Sequence, residues 1–170
     1  SGAGTTLANG GLQLGANDTH AHAQNLSARA LINAGAGTVA PSNTLNLTAG
    51  AVFKNSAGAT LDLSGTTVWS GADRSDPFIN DGSLTLAGSG ASTTFEAYFV
   101  NDGSIAINSG SLRTHDGGEG TGSITVANGA TLQFVGSGNA VRFSSPASVT
   151  GAGTVQLDGN SYLTMAAGPN

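Results

Sequence analysis

The sequence predicts an all-β chain wound into a right-handed parallel β-helix, and three observations carry that prediction. The phrase Phe78-Ile79-Asn80-Asp81-Gly82-Ser83-Leu84-Thr85-Leu86 returns 21 residues later as Phe99-Val100-Asn101-Asp102-Gly103-Ser104-Ile105-Ala106-Ile107. A repeat of about 20–30 residues made of strand, turn and strand marks a solenoid whose units bury their apolar faces against their neighbours. Apolar residues come as short Val/Ile/Leu/Phe groups separated by Gly and Asn, and no window shows a helical 3.6-residue period. Charged residues make up only 9% of the chain while 38% are hydrophobic, a balance that disfavours disorder.

Taken in order, the strand phrases are Gly11-Leu12-Gln13-Leu14, Thr44-Leu45-Asn46-Leu47, Ala59-Thr60-Leu61-Asp62-Leu63 and the two long copies. They continue as Gly122-Ser123-Ile124-Thr125-Val126, Ala130-Thr131-Leu132-Gln133-Phe134 and Gly153-Thr154-Val155-Gln156-Leu157. In each, apolar residues alternate with small or polar ones, so one face of a strand points inward and the other outward. Gly-rich pieces between them, such as Gly35-Ala36-Gly37, Gly88-Ser89-Gly90 and Gly151-Ala152-Gly153, read as coil corners. Spacings of 16 residues from Leu45 to Leu61 and 23 from Leu61 to Leu84 set a coil of 16–23 residues. Roughly eight such coils at ~4.8 Å each make a rod about 40 Å long. Phe78 stacks on Phe99, Asn80 on Asn101 and Gly82 on Gly103, with the asparagines forming an amide ladder.

The 170 residues form a single domain. Residues 1–40 hold weakly repeated first coils, where a β-sandwich or β-roll is the alternative; 41–165 hold regular coils, and 166–170 a flexible end. A net charge of −5 with five scattered Lys and Arg gives no phosphate-neutralising stripe, which argues against nucleic acid. No apolar run approaches the ~20 residues of a membrane-spanning helix, so no membrane insertion is expected. The absence of cysteine leans toward a bacterial surface protein held by its sheet ladders. No signal-peptide pattern precedes Ser1, so an export signal is expected to have been removed or to lie outside this sequence.

The phrases at 99–105, Gly129-Ala130-Thr131-Leu132 and 151–157 resemble repeats of large bacterial surface β-helix proteins of the adhesin, filamentous-haemagglutinin and autotransporter-passenger type. The resemblance covers residues 40–165, and more loosely the first 40, and implies a right-handed β-helix, export to an extracellular or cell-surface location, and adhesive or structural roles. Its motif marks a scaffold and carries no transferable functional residue.

Trp69-Ser70-Gly71-Ala72-Asp73-Arg74-Ser75-Asp76-Pro77 is the longest break in the repeat and holds the only tryptophan. An exposed Trp69 beside Asp73, Arg74 and Asp76, with Tyr98 and Glu96 one coil on, offers a place to stack a surface glycan or anchor a protein. The plain alternative is a corner loop whose Trp caps the core. Asp18, His20 and His22 project from one face if their segment is a strand, which makes a zinc or copper half-site; the alternative is an exposed loop. His115-Asp116-Gly117-Gly118-Glu119 lacks the spacing of a calcium loop and reads as a surface loop. Asp81 and Asp102, one coil apart, read as solvated turn residues, with a bridging calcium as the lesser option.

No carboxylate pair or Ser-His-Asp arrangement is marked for catalysis, so a non-enzymatic protein with no required cofactor is expected. Adjacent threonine pairs (Thr5-Thr6, Thr66-Thr67, Thr93-Thr94) point to opposite faces, which counts against a Thr-x-Thr ice-binding column. Two functions remain: an adhesin or stalk segment flanked by further repeats, and a fibre subunit that stacks on itself end to end.

Overall fold

A computed structural model describes residues 4–16, 18, 20–71, 74–88, 90–136 and 140–166. Among them are 22 strands and no helix. The first coil holds β1 (Gly4–Ala8), β2 (Leu12–Leu14) and β3 (His22–Ser27), and the second β4 (Arg29–Asn33), β5 (Ala36–Val39) and β6 (Asn43–Thr48). There follow β7 (Val52–Asn55), β8 (Thr60–Leu63) and β9 (Thr67–Gly71), then β10 (Phe78–Asn80), β11 (Ser83–Leu86) and β12 (Ser92–Phe95). The fifth coil is β13 (Phe99–Asn101), β14 (Ser104–Ile107) and β15 (Ser111–Thr114); the sixth is β16 (Gly118–Gly120), β17 (Ser123–Val126) and β18 (Thr131–Gly136). The last holds β19 (Ala140–Phe143), β20 (Ser148–Gly151) and β21 (Thr154–Gly159), and β22 (Tyr162–Met165) follows it.

Every third strand joins the same sheet. Sheet A runs from β1 to β22 with eight strands, sheet B from β2 to β20 with seven, and sheet C from β3 to β21 with seven. The pairings given are all parallel, so the chain is a three-sided β-solenoid of seven turns plus one strand. The weakly repeated residues 4–39 join these same sheets through β1 to β5.

The coil spacing differs from the expected one. Registered partners lie from 19 residues apart, Phe99 to Gly118, to 26 apart, Thr67 to Thr93. Leu45 and Leu61 belong to β6 and β8 on different sheets, so their 16-residue separation was never a coil. Leu61 stacks on Leu84, and Leu45 on Trp69. The cause is physical: each side of the triangle needs the same inward-outward alternation, so strands of different sheets read alike.

The interior is a set of axial columns. Phe78 lies over Phe99 and Leu84 over Ile105, as the repeat predicts. Rings from sheets A and C interlock along the axis. Phe53 meets Trp69 at 4.7 Å between centroids, Trp69 meets Phe78 at 4.6 Å, Phe78 meets Phe95 at 4.6 Å and Phe95 meets Phe99 at 4.7 Å. Such pairs contribute about 0.5–1.5 kcal/mol each beyond the area they bury.

The amide ladder is longer than the two rungs the repeat suggests. Asn33, Asn55, Asn80 and Asn101 are fully buried, and the Nδ2 of each of the first three donates to the next Oδ1 at 2.8 Å. The second hydrogen of each amide goes to a backbone carbonyl in the following coil, for example Asn55 Nδ2 to Ser83 O at 3.1 Å. Both donors of a buried side chain are thereby satisfied, which is what permits asparagine inside an apolar core. The ladder stops where β16 places Gly120 at the next rung, since a Cβ there would lie 1.9 Å from the Asn101 carbonyl oxygen. Gly82 and Gly103 stack as predicted, and the reason is close approach: a Cβ on Gly103 would sit 2.0 Å from the Gly82 oxygen.

Candidate functional site

The corner between sheets C and A, where the repeat is broken, rearranges the candidate residues. Trp69 occupies an inward position of β9 and is 1% exposed, its ring wedged between Phe53, Phe78 and Phe95. It cannot present a face to a sugar. Strand alternation placed it inside, where burying a large ring outweighs leaving its Nε1 without a hydrogen-bond partner. Asp76, at 2% exposure, is likewise structural. Its Oδ1 accepts the backbone N–H of Gly50 at 2.7 Å and of Ala51 at 3.0 Å, closing a turn of the coil below. Asp73 lies outside the described residues.

Arg74 and Tyr98 do come together. The guanidinium carbon lies 4.4 Å from the centre of the Tyr98 ring, a cation–π contact that covers an already buried ring. Burial raises the Tyr98 hydroxyl above its ordinary pKa; the Glu119 charge and a hydrogen bond to Glu119 add to this, while Arg74 and Arg142 oppose it. A line of alternating chemistry, Arg74, Tyr98, Glu119 and Arg142, therefore runs along the rod. Glu119 and Arg142 are registered neighbours on the outer face of sheet A.

Beside this line is a groove of about 220 Å³ lined by Val100, Asp102, Glu119, Gly120, Thr121 and Ser144. Asp102 accepts both the backbone N–H and the hydroxyl of Thr121 at 2.9 Å. Asp81 is paired with Lys54 at 2.6 Å. The two aspartates thus have separate protein partners, and neither needs a bridging cation. The groove offers carboxylates, hydroxyls and a small apolar floor, chemistry suited to a hydroxyl-rich ligand. In the sequence Asp102 and Glu119 stand apart, one weighed with Asp81 for a bridging calcium and the other set in a Gly-rich surface loop, and nothing joins them. Registration across coils is what puts them on one groove.

The three expected metal ligands meet only in part. Strand β3 begins at His22, so Asp18 and His20 lie in the preceding loop rather than on a shared strand face. Asp18 Oδ1 is 2.8 Å from His22 Nε2 and 3.7 Å from His20 Nδ1. The His20 backbone N–H, followed by the His22 ring, holds the Asp18 carboxyl below its ordinary pKa. One oxygen is already the acceptor of both, and among the described residues no group of three or more His, Asp or Glu is arranged to hold a metal. At His115-Asp116, burial raises the Asp116 carboxyl, with His115 opposing and Glu96 adding to the rise.

One surface was missed by sequence reasoning. The outer face of sheet B aligns Thr60, Ser83, Ser104, Ser123 and Ser148 in one column, and Thr38, Asp62, Thr85, Ala106, Thr125 and Thr150 in the next. Adjacent Thr-Thr pairs were the wrong signal for it; the sequence signal is a hydroxyl two residues from another on sheet B, met at Ser83/Thr85, Ser123/Thr125 and Ser148/Thr150 and broken by Asp62 and Ala106. Ser104 and Ser83 hydroxyls are 3.1 Å apart along the first column.

No family model, no curated protein and no solved structure matches this chain. Among the described residues no helix is long and apolar enough to cross a membrane.

Proposed function

We propose that the chain is a non-enzymatic, extracellular structural and adhesive module of a bacterial surface protein, a stiff spacer that presents polar faces at fixed positions. The observation that carries this reading is the continuous internal registration, in which the asparagine ladder and the interlocked rings tie successive coils together. A rod locked this way transmits length and orientation without a hinge. Its contacts with surface glycans fall on the groove at Asp102, Glu119, Thr121 and Ser144, in place of the buried Trp69.

The test has two readouts. Antibody raised against the chain is expected to label intact cells of the source organism, and surface protease to remove that label. Confinement to the cytosolic fraction would sink the reading. Glu119→Gln and Ser144→Ala are expected to weaken retention of the purified chain on surface polysaccharide while leaving its unfolding midpoint in place.

A further inference from the structure

The groove at Asp102 and Glu119 has a counterpart across sheet B. A second groove, of about 300 Å³, is lined by Gln13, Thr38, Val39, Ala40 and Ser64. It spans the first three coils, and the groove at Asp102 the fifth to the seventh. Ser64 follows the end of β8, whereas Asp102 and Thr121 precede the starts of β14 and β17. The two grooves therefore lie at opposite corners of sheet B, with its outer face between them.

A line of hydroxyls crosses that face from one groove to the other. Thr85 is registered with Asp62, two residues before Ser64, and Ser104 with Ser83, two residues before Thr85. Ser123, registered with Ser104, follows Thr121 by two residues. Ser64, Thr85, Ser104 and Thr121 thus each lie one coil on and two residues back from the one before. Thr85 is half-buried and the other three are exposed. At ~4.8 Å per coil and ~3.3 Å per residue, each step is about 8 Å and the line about 25 Å long. Asp62 and Ala106, which interrupt the straight column through Thr85, lie to either side of it.

The chemistry along this path selects a ligand. Ser64 Oγ donates to the Val39 carbonyl at 3.3 Å, Ser104 Oγ to Ser83 Oγ at 3.1 Å and Thr121 Oγ1 to Asp102 at 2.9 Å. With their hydrogens committed, these hydroxyls offer lone pairs, so a molecule lying on them must donate. Among the described residues none of the Lys and Arg side chains is on a strand of sheet B, where Asp62 is the one charged group. A uronic-acid, sulfated or phosphorylated chain finds no counter-charge there. The second groove has no charged lining residue, and Glu119 has Arg142 as its registered neighbour, so no strong field draws a polycation either. The strands of sheet B carry no aromatic ring to stack on a sugar. Each neutral hydrogen bond exchanged with water contributes only about 0.5–1.5 kcal/mol, so affinity has to be built from length.

We propose that one extended chain of a neutral polysaccharide lies diagonally across sheet B, from the groove at Ser64 over Thr85 and Ser104 to the groove at Thr121. This path extends the glycan contact proposed at Asp102 and Glu119 and rests on that reading. The second groove, the course of the chain and its uncharged class are what it adds.

Titration of the purified chain with neutral glucans, mannans and galactans of graded length, followed by NMR, tests the path. Oligosaccharides that span ~25 Å are expected to bind about tenfold tighter than disaccharides, because a chain held in one groove meets the other at high effective concentration. Polygalacturonate should not compete, and added salt should leave the affinity for neutral chains unchanged. Thr85→Lys, an outward change in the middle of the path, should remove that length-dependent gain while disaccharide binding and the urea midpoint stay in place. Thr150→Lys, on the same face but off the line, should change neither affinity. Equal affinity for disaccharides and long chains, equal losses from Thr85→Lys and Thr150→Lys, or tighter binding of polygalacturonate or polylysine would each overturn the inference. So would the failure of every neutral chain to bind. If surface polysaccharide is still retained in that case and released by Glu119→Gln, the single groove at Asp102 survives and only the path across sheet B is lost.

Discussion

The middle of the rod and its last coil are built from the same alternation, yet they are opposite in burial. Leu132 on β18 and Val155 on β21 are registered neighbours in one inward column, one 0% exposed and the other 42%. Phe78 has ring neighbours in the coil before it, the coil after it and the facing sheet, whereas Met165 continues a column from Phe143 and is the last of it among the described residues. In a solenoid a side chain's burial belongs to its neighbours rather than to its own strand. An inward residue in the last described coil is therefore exposed although its strand is like the others.

Substitutions in the two regions can break or sharpen this contrast, and urea unfolding midpoints read each one. Phe78→Ala, which opens a cavity among four rings, is expected to cost about 3–5 kcal/mol. Leu132→Ala should cost about 2–4 kcal/mol, while Val155→Ala in the same column should cost less than about 1 kcal/mol. Equal losses for the last two would mean that the final coil is covered.

Asparagine rungs give the next step down. Asn80→Ala strands a donor on Asn55 and an acceptor on Asn101 and should cost about 2 kcal/mol. Asn46→Ala removes an outward rung, the 2.9 Å bond from Asn46 to Asn25, and should change stability by less than about 0.5 kcal/mol.

The smallest expected effect is a pH dependence at Asp116. Burial raises its folded-state pKa above the unfolded one. Its stabilising contribution is thus present below the ordinary carboxylate pKa and lost as pH rises through the folded value. Asp116→Asn is accordingly expected to be more stable than the parent at pH ~7, with the gap closing near pH ~3. A gap that widens in acid would contradict that sign. Asp18, whose pKa is lowered, should behave in the opposite sense, its contribution lost as pH falls.

What the sequence determined by itself was the period-two alternation, the turn chemistry and the near-copy at 78–86 and 99–107, and these suffice for parallel strands stacked in a solenoid. They suffice because alternation and turn geometry are local properties of the chain. Three matters were left to the tertiary structure. Leu45 and Leu61 look like successive coils until the triangle assigns them to different sheets. Trp69 and Asp76 look like loop residues available for a ligand until stacking turns one inward and hands the other two backbone donors from the coil below. Asn33 in Leu31-Ile32-Asn33-Ala34-Gly35 and Asn55 in Phe53-Lys54-Asn55 hold the place that Asn80 holds in Phe78-Ile79-Asn80-Asp81-Gly82, a weaker likeness that becomes a ladder only when register brings the amides within 2.8 Å. Coil length varies from 19 to 26 residues with loops absorbing the difference, so only the closed coil decides which residues share a column. The groove at Asp102 and Glu119, the hydroxyl face of sheet B and the apolar end at Val155 all follow from that decision.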